Sequence, residues 1–303
     1  MMKLVCSVLI VILILTNVAY ADVIDNDLTL LQTVIGNNGL KIADITEDDV
    51  ITRSEMVDII INITQIQKDE IYGIKRQSRF SQGAITYTSF LDWQLKDEKE
   101  KLVKRLYECG IIKGCTNNIF RPNDACTIEE AITFIVRAIG WTPLAEAKGY
   151  GGFPEGYVKV AEEIGLFDED FITADGNISR IISRIIFNSL FVETVELDGT
   201  KLYNDYYYIS VPCALERFHG LSYIYGYATK CETGVRINDD VFVGEVSNSK
   251  LFSKGYVFCI YDENDIIPKK NIVLCLEISK NIFRMGQTET SDCRINRYLT
   301  NNI

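Results

Sequence analysis

The chain has 303 residues, a net charge of −11 and a single histidine. That length suits two domains of ordinary size. The acidic balance repels polyanions and argues against nucleic acid as a partner, so an anionic ligand would need a local basic site that overrides the global field.

The first element is a short n-region, Met1–Lys3, followed by an apolar run from Leu4 to Leu15 and by Ala19-Tyr20-Ala21. This reads as a secretory signal peptide over residues 1–21. The run is short for a membrane span, and no later segment is apolar for long enough, so no integral span is expected after cleavage. Cleavage removes Cys6 and leaves eight of the nine cysteines. Export permits disulfides, but sequence alone cannot pair them. There is no CxxC pair, and His219 has no motif partner, so neither a metal nor a cofactor is expected.

Next come three segments that align on a hydroxyl residue opening a helix, at Thr52, Thr127 and Ser179. Each has an apolar residue seven positions earlier (Ile45, Phe120, Ile172), with a turn-forming run between. Thr52 with Glu55, and Thr127 with Glu130, fit a capping box, in which each side chain satisfies the other residue's backbone N–H. The third copy has Ser179 as its expected cap but Ile182 where the glutamate should be. Apolar faces follow at helical spacing: Met56, Ile59, Ile60 and Ile63; Ile132, Ile135, Val136 and Ile139; Ile182, Ile185, Ile186 and Phe191. Leu102–Tyr107 and Tyr157–Ile164 mark an earlier helix in the second and third copies, ending at Gly110 and Gly165. One such unit cannot bury its apolar face alone, so the copies must pack on each other. The polar stretch Gln65–Ile85, with Lys75, Arg76 and Arg79, reads as a long connection. The expected units are residues 22–85, 86–141 and 142–195, the last degenerate.

After Val195 the pattern changes to short runs rich in aromatic and β-branched residues: Tyr206–Val211, Leu221–Ala228, Val235–Ile237, Val241–Val246, Tyr256–Tyr261 and Ile272–Ile278. They predict a small antiparallel, barrel-like β domain over residues 196–303, and hence an α+β multidomain chain. The Tyr206–Tyr208 triplet reads as strand packing rather than a sugar platform. Asp262–Asp265 reads as a solvated turn, because it lacks the spaced ligands of a calcium loop. Asn62-Ile63-Thr64 and Asn177-Ile178-Ser179 are formal glycosylation sequons, and both lie in or at predicted helices.

Gly110-Ile111-Ile112-Lys113-Gly114, Phe120, Pro122, Ile51-Thr52-Arg53-Ser54-Glu55, Asp92-Trp93 and Gly151-Gly152-Phe153-Pro154-Glu155-Gly156-Tyr157 together resemble the S-layer homology family of bacterial cell-envelope proteins. The resemblance covers roughly residues 27–195. It implies a pseudo-trimer of three helical repeats, held without covalent bonds on an acidic secondary cell-wall polysaccharide, in a protein secreted to the cell wall. Carried over by position, Arg53 and Arg180 would contact the glycan, with Thr52 and Ser179 beside them. The second copy departs from the pattern, with Ile128 at the arginine position and Lys113 or Arg121 as candidate substitutes. The alternatives are an assembly protein whose degenerate repeats contact other envelope proteins, and a wall hydrolase. The sequence carries no nucleophile elbow, zinc motif or phosphate loop, so it predicts a protein that is not an enzyme.

Overall fold

The computed structural model describes residues 50–66, 89–167, 177–197, 208–247, 251–263 and 269–278, together with Val34 and Ser249. The signal-peptide segment, the Lys75/Arg76/Arg79 cluster, Tyr206 and Tyr207 lie outside these residues. Among the described residues are seven helices, a five-stranded sheet and a two-stranded sheet, a mixed α+β architecture.

Helix α1 (Arg53–Thr64) opens on Thr52, whose hydroxyl accepts the Glu55 N–H while Glu55 accepts the Thr52 N–H at 2.7 Å. Helix α2 (Asp97–Glu108) concentrates Asp97, Glu98 and Glu100 in its first turn, where negative charge suits the helix dipole. The loop after it starts at Gly110, whose φ of 73° lies in the left-handed region. Gly114 closes the loop. A Cβ there would sit 2.7 Å from the Phe90 ring, so only glycine fits. Helix α3 (Ile128–Ala138) repeats the capping box with Thr127 and Glu130. Then come a single turn, α4 (Thr142–Ala145), helix α5 (Glu155–Glu163) and helix α6 (Ile178–Asn188).

The start of α6 differs from the expectation. Its cap is Asn177, whose side-chain oxygen accepts the Arg180 N–H at 3.2 Å. Asparagine caps as well as serine, so the helix begins two residues earlier and draws Ser179 into its first turn, where it is buried. Arg180, not Ile182, then stands three residues after the cap. It cannot return a hydrogen bond as a glutamate would, and the reciprocal half of the box is lost.

Helix α3 is the hub of the helical part and packs against α1, α5 and α6. Every residue from Ala131 to Ala138 is buried. The expected face of Ile132, Ile135, Val136 and Ile139 lies in the main core with Ile59, Ile60, Ile182 and Ile186.

Strands β1 (Glu193–Leu197) and β2 (Tyr208–Cys213) form an antiparallel ribbon that straddles residue 195. The ribbon is tied to the helices: Trp141 donates its indole N–H to the Glu193 carbonyl, and the Val195 N–H reaches the Ile139 carbonyl. Helix α7 (Ala214–His219) follows, and the ring of His219 lies 3.0 Å from the Ile63 carbonyl near the end of α1. The lone histidine of the sequence thus joins two distant elements.

Strands β3 (Ser222–Cys231), β4 (Gly234–Ile237), β5 (Asp240–Val243), β6 (Lys254–Glu263) and β7 (Lys270–Ile278) pair in the order β3-β4-β5-β7-β6, and β6 returns to β3. The sheet closes on itself and is antiparallel throughout except between β5 and β7. Alternation along β6 and β7 serves two cores. Phe258, Ile260, Leu274 and Leu276 face the helices and join the main core. Val257, Cys259 and Cys275 face inward with Ala228, Val235, Ile237 and Phe242. A strand pair buried on both faces reads as a nearly continuous apolar run, as Tyr256–Tyr261 does.

Candidate functional site

The segments that open α1 and α3 are bound to each other. Thr52 and Ala125 form an antiparallel bridge, and the Cys126 N–H reaches the Ile51 carbonyl at 2.8 Å. In return the Arg53 N–H bonds the Asp124 carbonyl at 3.0 Å and the Ser54 N–H the Pro122 carbonyl at 2.9 Å. With the capping box, this satisfies the N–H groups of Thr52, Arg53, Ser54 and Glu55. A helix start is ordinarily a ready anion site because those donors are unpaired. At α1 they are all engaged, and only side chains remain to attract an anion there.

Arg53 is the most heavily engaged of those side chains. Its Nε donates to the Phe120 carbonyl at 2.8 Å, and its Nη1 lies 2.6 Å from Glu130 Oε1. Its guanidinium sits 4.7 Å from the centre of the Phe120 ring and 5.5 Å from that of Phe134. Trp93 stacks on the far face of this assembly, with its ring 4.5 Å from Phe120. The neighbouring Asp92 accepts the Phe120 and Arg121 N–H groups, both at 2.7 Å. The Asp-Trp pair of the sequence therefore fixes the loop on which Arg53 rests. Desolvation raises the Asp92 pKa, but the backbone N–H groups it accepts and the charge of Arg53 together outweigh it and hold the carboxyl below its usual range.

Beside Arg53 opens a cavity of about 430 Å³, within the range of about 300–1,000 Å³ typical of small-ligand sites. Its floor is one stripe of α3, Glu130, Thr133, Phe134 and Arg137, at the i, i+3, i+4, i+7 spacing of a helix face. Lys113, Gly114 and Cys115 of the loop after α2 form one wall, with Arg121 beside them. Glu146 and Phe153 close the side toward α5, and the Phe153 ring is 58% exposed. Four cations (Arg53, Lys113, Arg121, Arg137) thus face two carboxylates (Glu130, Glu146), and the cavity is locally basic in an acidic chain.

Two networks hold these charges in place. Glu130 receives Arg53 and, at 2.9 Å, Arg121 Nη2, while its other oxygen accepts the Thr127 N–H. On the other side Arg137 Nε donates to the Tyr157 hydroxyl at 3.1 Å, and that hydroxyl donates to Glu146 Oε1 at 2.7 Å. Lys113 reaches the same oxygen at 3.3 Å. Burial raises the pKa of Glu146, but Tyr157, Lys113 and Arg137 more than offset it and hold the carboxylate charged. Burial chiefly pushes the Tyr157 hydroxyl up to about 12, so it stays a donor. Burial likewise pushes the Cys126 thiol up to about 12, which leaves it inert at neutral pH.

Of the four residues expected to touch a ligand, only Arg53 is among those lining this cavity. Thr52 is fully used as a cap, Ser179 is buried inside the first turn of α6, and half-buried Arg180 belongs to that turn as well. Lys113 and Arg121, named from the sequence as stand-ins for the arginine missing at Ile128, do line the cavity with Arg53. Arg137 and Glu146 were not anticipated. A signal for Arg137 exists: it lies seven residues after Glu130, on the stripe opposite the isoleucine face. Among the described residues, no helix is long and apolar enough to cross a membrane.

No family model matches the chain. The chain is similar to the Middle cell wall protein of Brevibacillus brevis, at 26% identity over 151 residues, which is 49% of this chain and 13% of that protein. The chain thus spans a small part of that relative's length. This distant homology to a cell wall protein fits a protein of the cell envelope.

Proposed function

We propose that this is an exported cell-envelope protein, held on the wall by non-covalent binding of an acidic polysaccharide. In this reading three S-layer-homology-like repeats form the helical part, and the closed sheet is a second module. The observation that carries the reading is the basic cavity on α3, which gathers four cations against two carboxylates in a chain of net charge −11. Arginine's planar fork suits a sugar carboxylate, and Phe153 offers an exposed ring at the rim for the apolar face of a sugar. The likeness to a cell wall protein supports the compartment. The resemblance gives Arg53 a contact with the glycan; in this reading its guanidinium, engaged by Phe120 and Glu130, is instead a fixed wall of the site, and Lys113 and Arg121 take the contact role. We assign no reaction to the cavity; its charges are paired for binding.

The test uses the full chain and purified cell wall carrying its acidic polysaccharide. Lys113 and Arg121 are about half exposed, with side-chain accessibilities of 49% and 44%, so replacing both with Gln leaves the core intact. The parent should sediment with the wall at low salt and release as salt rises, and Lys113→Gln with Arg121→Gln should release at lower salt. Equal sedimentation of parent and variant would sink the assignment of the cavity. Sedimentation on wall stripped of its polysaccharide would instead favour protein contacts.

A further inference from the structure

The interior of the closed sheet holds two cysteines that the cavity does not use. Cys259 on β6 and Cys275 on β7 are register partners across an antiparallel pair. Both are fully buried in the same inner cluster, where the structure holds them as free thiols. Residues directly opposite each other in such a ladder alternate between hydrogen-bonded and non-hydrogen-bonded pairs, and the backbone N–H and C=O of one residue point to the same side. The Cys275 carbonyl accepts the Ser247 N–H at 2.6 Å, and the Cys275 N–H donates to Ser247 Oγ at 3.4 Å. Both groups of Cys275 therefore point away from β6. The pair is of the non-hydrogen-bonded kind, in which Cα atoms stand about 4.5 Å apart and side chains are closest. That separation falls within the range of about 4.4–6.8 Å that disulfides span.

We propose that Cys259 and Cys275 form a disulfide that staples β6 to β7, closed while the chain folds by exchange with a low-molecular-weight disulfide. One cysteine thiolate attacks a sulfur of the small disulfide and expels one thiolate. The second cysteine attacks the mixed disulfide and expels the other. The protein loses two S–H protons and two electrons, and the small disulfide takes them up and leaves as two thiols. The timing follows from burial. Contact with Cys275 and desolvation push the Cys259 thiol far up, so in the closed sheet it is neither ionised nor accessible to an oxidant. Exchange therefore precedes closure, and the finished bond is shielded from reductants. The strands it joins also form the face that packs on the helices, through Phe258, Ile260, Leu274 and Leu276.

The test refolds the full chain from denaturant with glutathione disulfide and glutathione, blocks thiols with iodoacetamide under denaturing conditions, and maps peptides without reduction. The expected result is a linked pair of peptides carrying Cys259 and Cys275, together two hydrogens lighter than the separate thiols. Closing a loop of about 15 residues should shift the folding equilibrium on the order of a hundredfold, so the denaturant midpoint should fall on reduction. In Cys259→Ala with Cys275→Ala that midpoint should no longer respond to reductant. Peptide mapping of the parent does not depend on whether the variant folds. Alkylation of both cysteines after oxidative refolding, or linkage of either to another cysteine, would overturn the proposal.

Discussion

The starts of α1 and α6 share an arginine after a hydroxyl residue, yet they are built differently. At α1, Thr52 caps, Arg53 is the first helical residue, and its guanidinium crosses to the loop and helix of the next segment. At α6 the cap is Asn177, and Arg180 falls three residues in, where α1 and α3 carry Glu55 and Glu130. A shift of two residues turns the arginine by more than half a helical turn relative to its cap, at about 100° per residue. Equal spacing from a hydroxyl in the sequence therefore does not give equal direction in space. The cap decides which way the arginine looks, and the partner segment decides what it meets.

The sharpest way to break this contrast is to remove each arginine in turn. Arg53→Ala leaves the carbonyl of Phe120 without its donor and takes one of two cations from Glu130, a carboxylate only 14% exposed. It also empties the space between two aromatic rings. Breaking a buried pair of this kind costs about 3–5 kcal/mol. Arg121, which also holds Glu130, places the expected loss at the low end, about 3 kcal/mol. Arg180→Ala should cost about 1 kcal/mol or less. Urea unfolding of both variants checks the ratio, and equal losses would mean that the two starts are equivalent after all. Arg53→Lys sharpens the point, because it keeps the charge and loses the fork and the stacking. It should fall nearer to Arg53→Ala than to the parent.

A smaller effect separates the two candidate caps of α6. Asn177→Ala removes the acceptor for the Arg180 N–H and should cost about 1 kcal/mol. The Ser179 backbone carbonyl, not its side chain, takes the Ser183 hydroxyl, so Ser179→Ala should stay within about 0.5 kcal/mol. The reverse ranking in thermal unfolding would restore Ser179 as the cap and return Arg180 to the position of Arg53.

Much of the fold is legible because its signals are local. The boxes at Thr52 and Thr127 need only residues three apart. The isoleucine faces need only helical spacing, and the strand runs need only alternation and turn residues. The site is less legible because it joins four separate segments. Nothing near Arg53 in the chain announces Phe120 or Glu130, and nothing near Lys113 announces Glu146. Asn177 was hidden by a stronger-looking neighbour, since Ser179 aligned with two threonines that do cap. The pairing of Cys259 with Cys275 depended on strand register, which spacing between runs does not specify. Arg137 was overlooked for a different reason. The stretch Ala131–Ala138 is buried all round and so has two inner stripes, of which the apolar one carries the stronger signal in the sequence.

The weakest expected effect concerns pH and tests whether the loop beneath Arg53 is held from outside the helix. Asp92 is exposed, yet its two oxygens take the backbone N–H groups of Phe120 and Arg121. Those bonds favour the charged form, and its pKa is lowered in the folded chain. A group with a depressed folded pKa stabilises the fold above its unfolded pKa and loses that contribution as pH falls through the folded value. For Asp92 the loss should therefore begin below about pH 4, near the ordinary aspartate value, and deepen with further acid. Asn at this position carries one acceptor oxygen where aspartate has two, and it does not titrate. Asp92→Asn should lower stability slightly at neutral pH and flatten the acid limb of the unfolding midpoint against pH. The effect should be largest in the environment of Trp93, whose stacking on Phe120 reports the loop by fluorescence. If Asp92→Asn reproduces the parent's acid limb, the loop is held by Arg53 from the helix side alone, and the Asp-Trp pair is not the outer clamp that separates the start of α1 from that of α6.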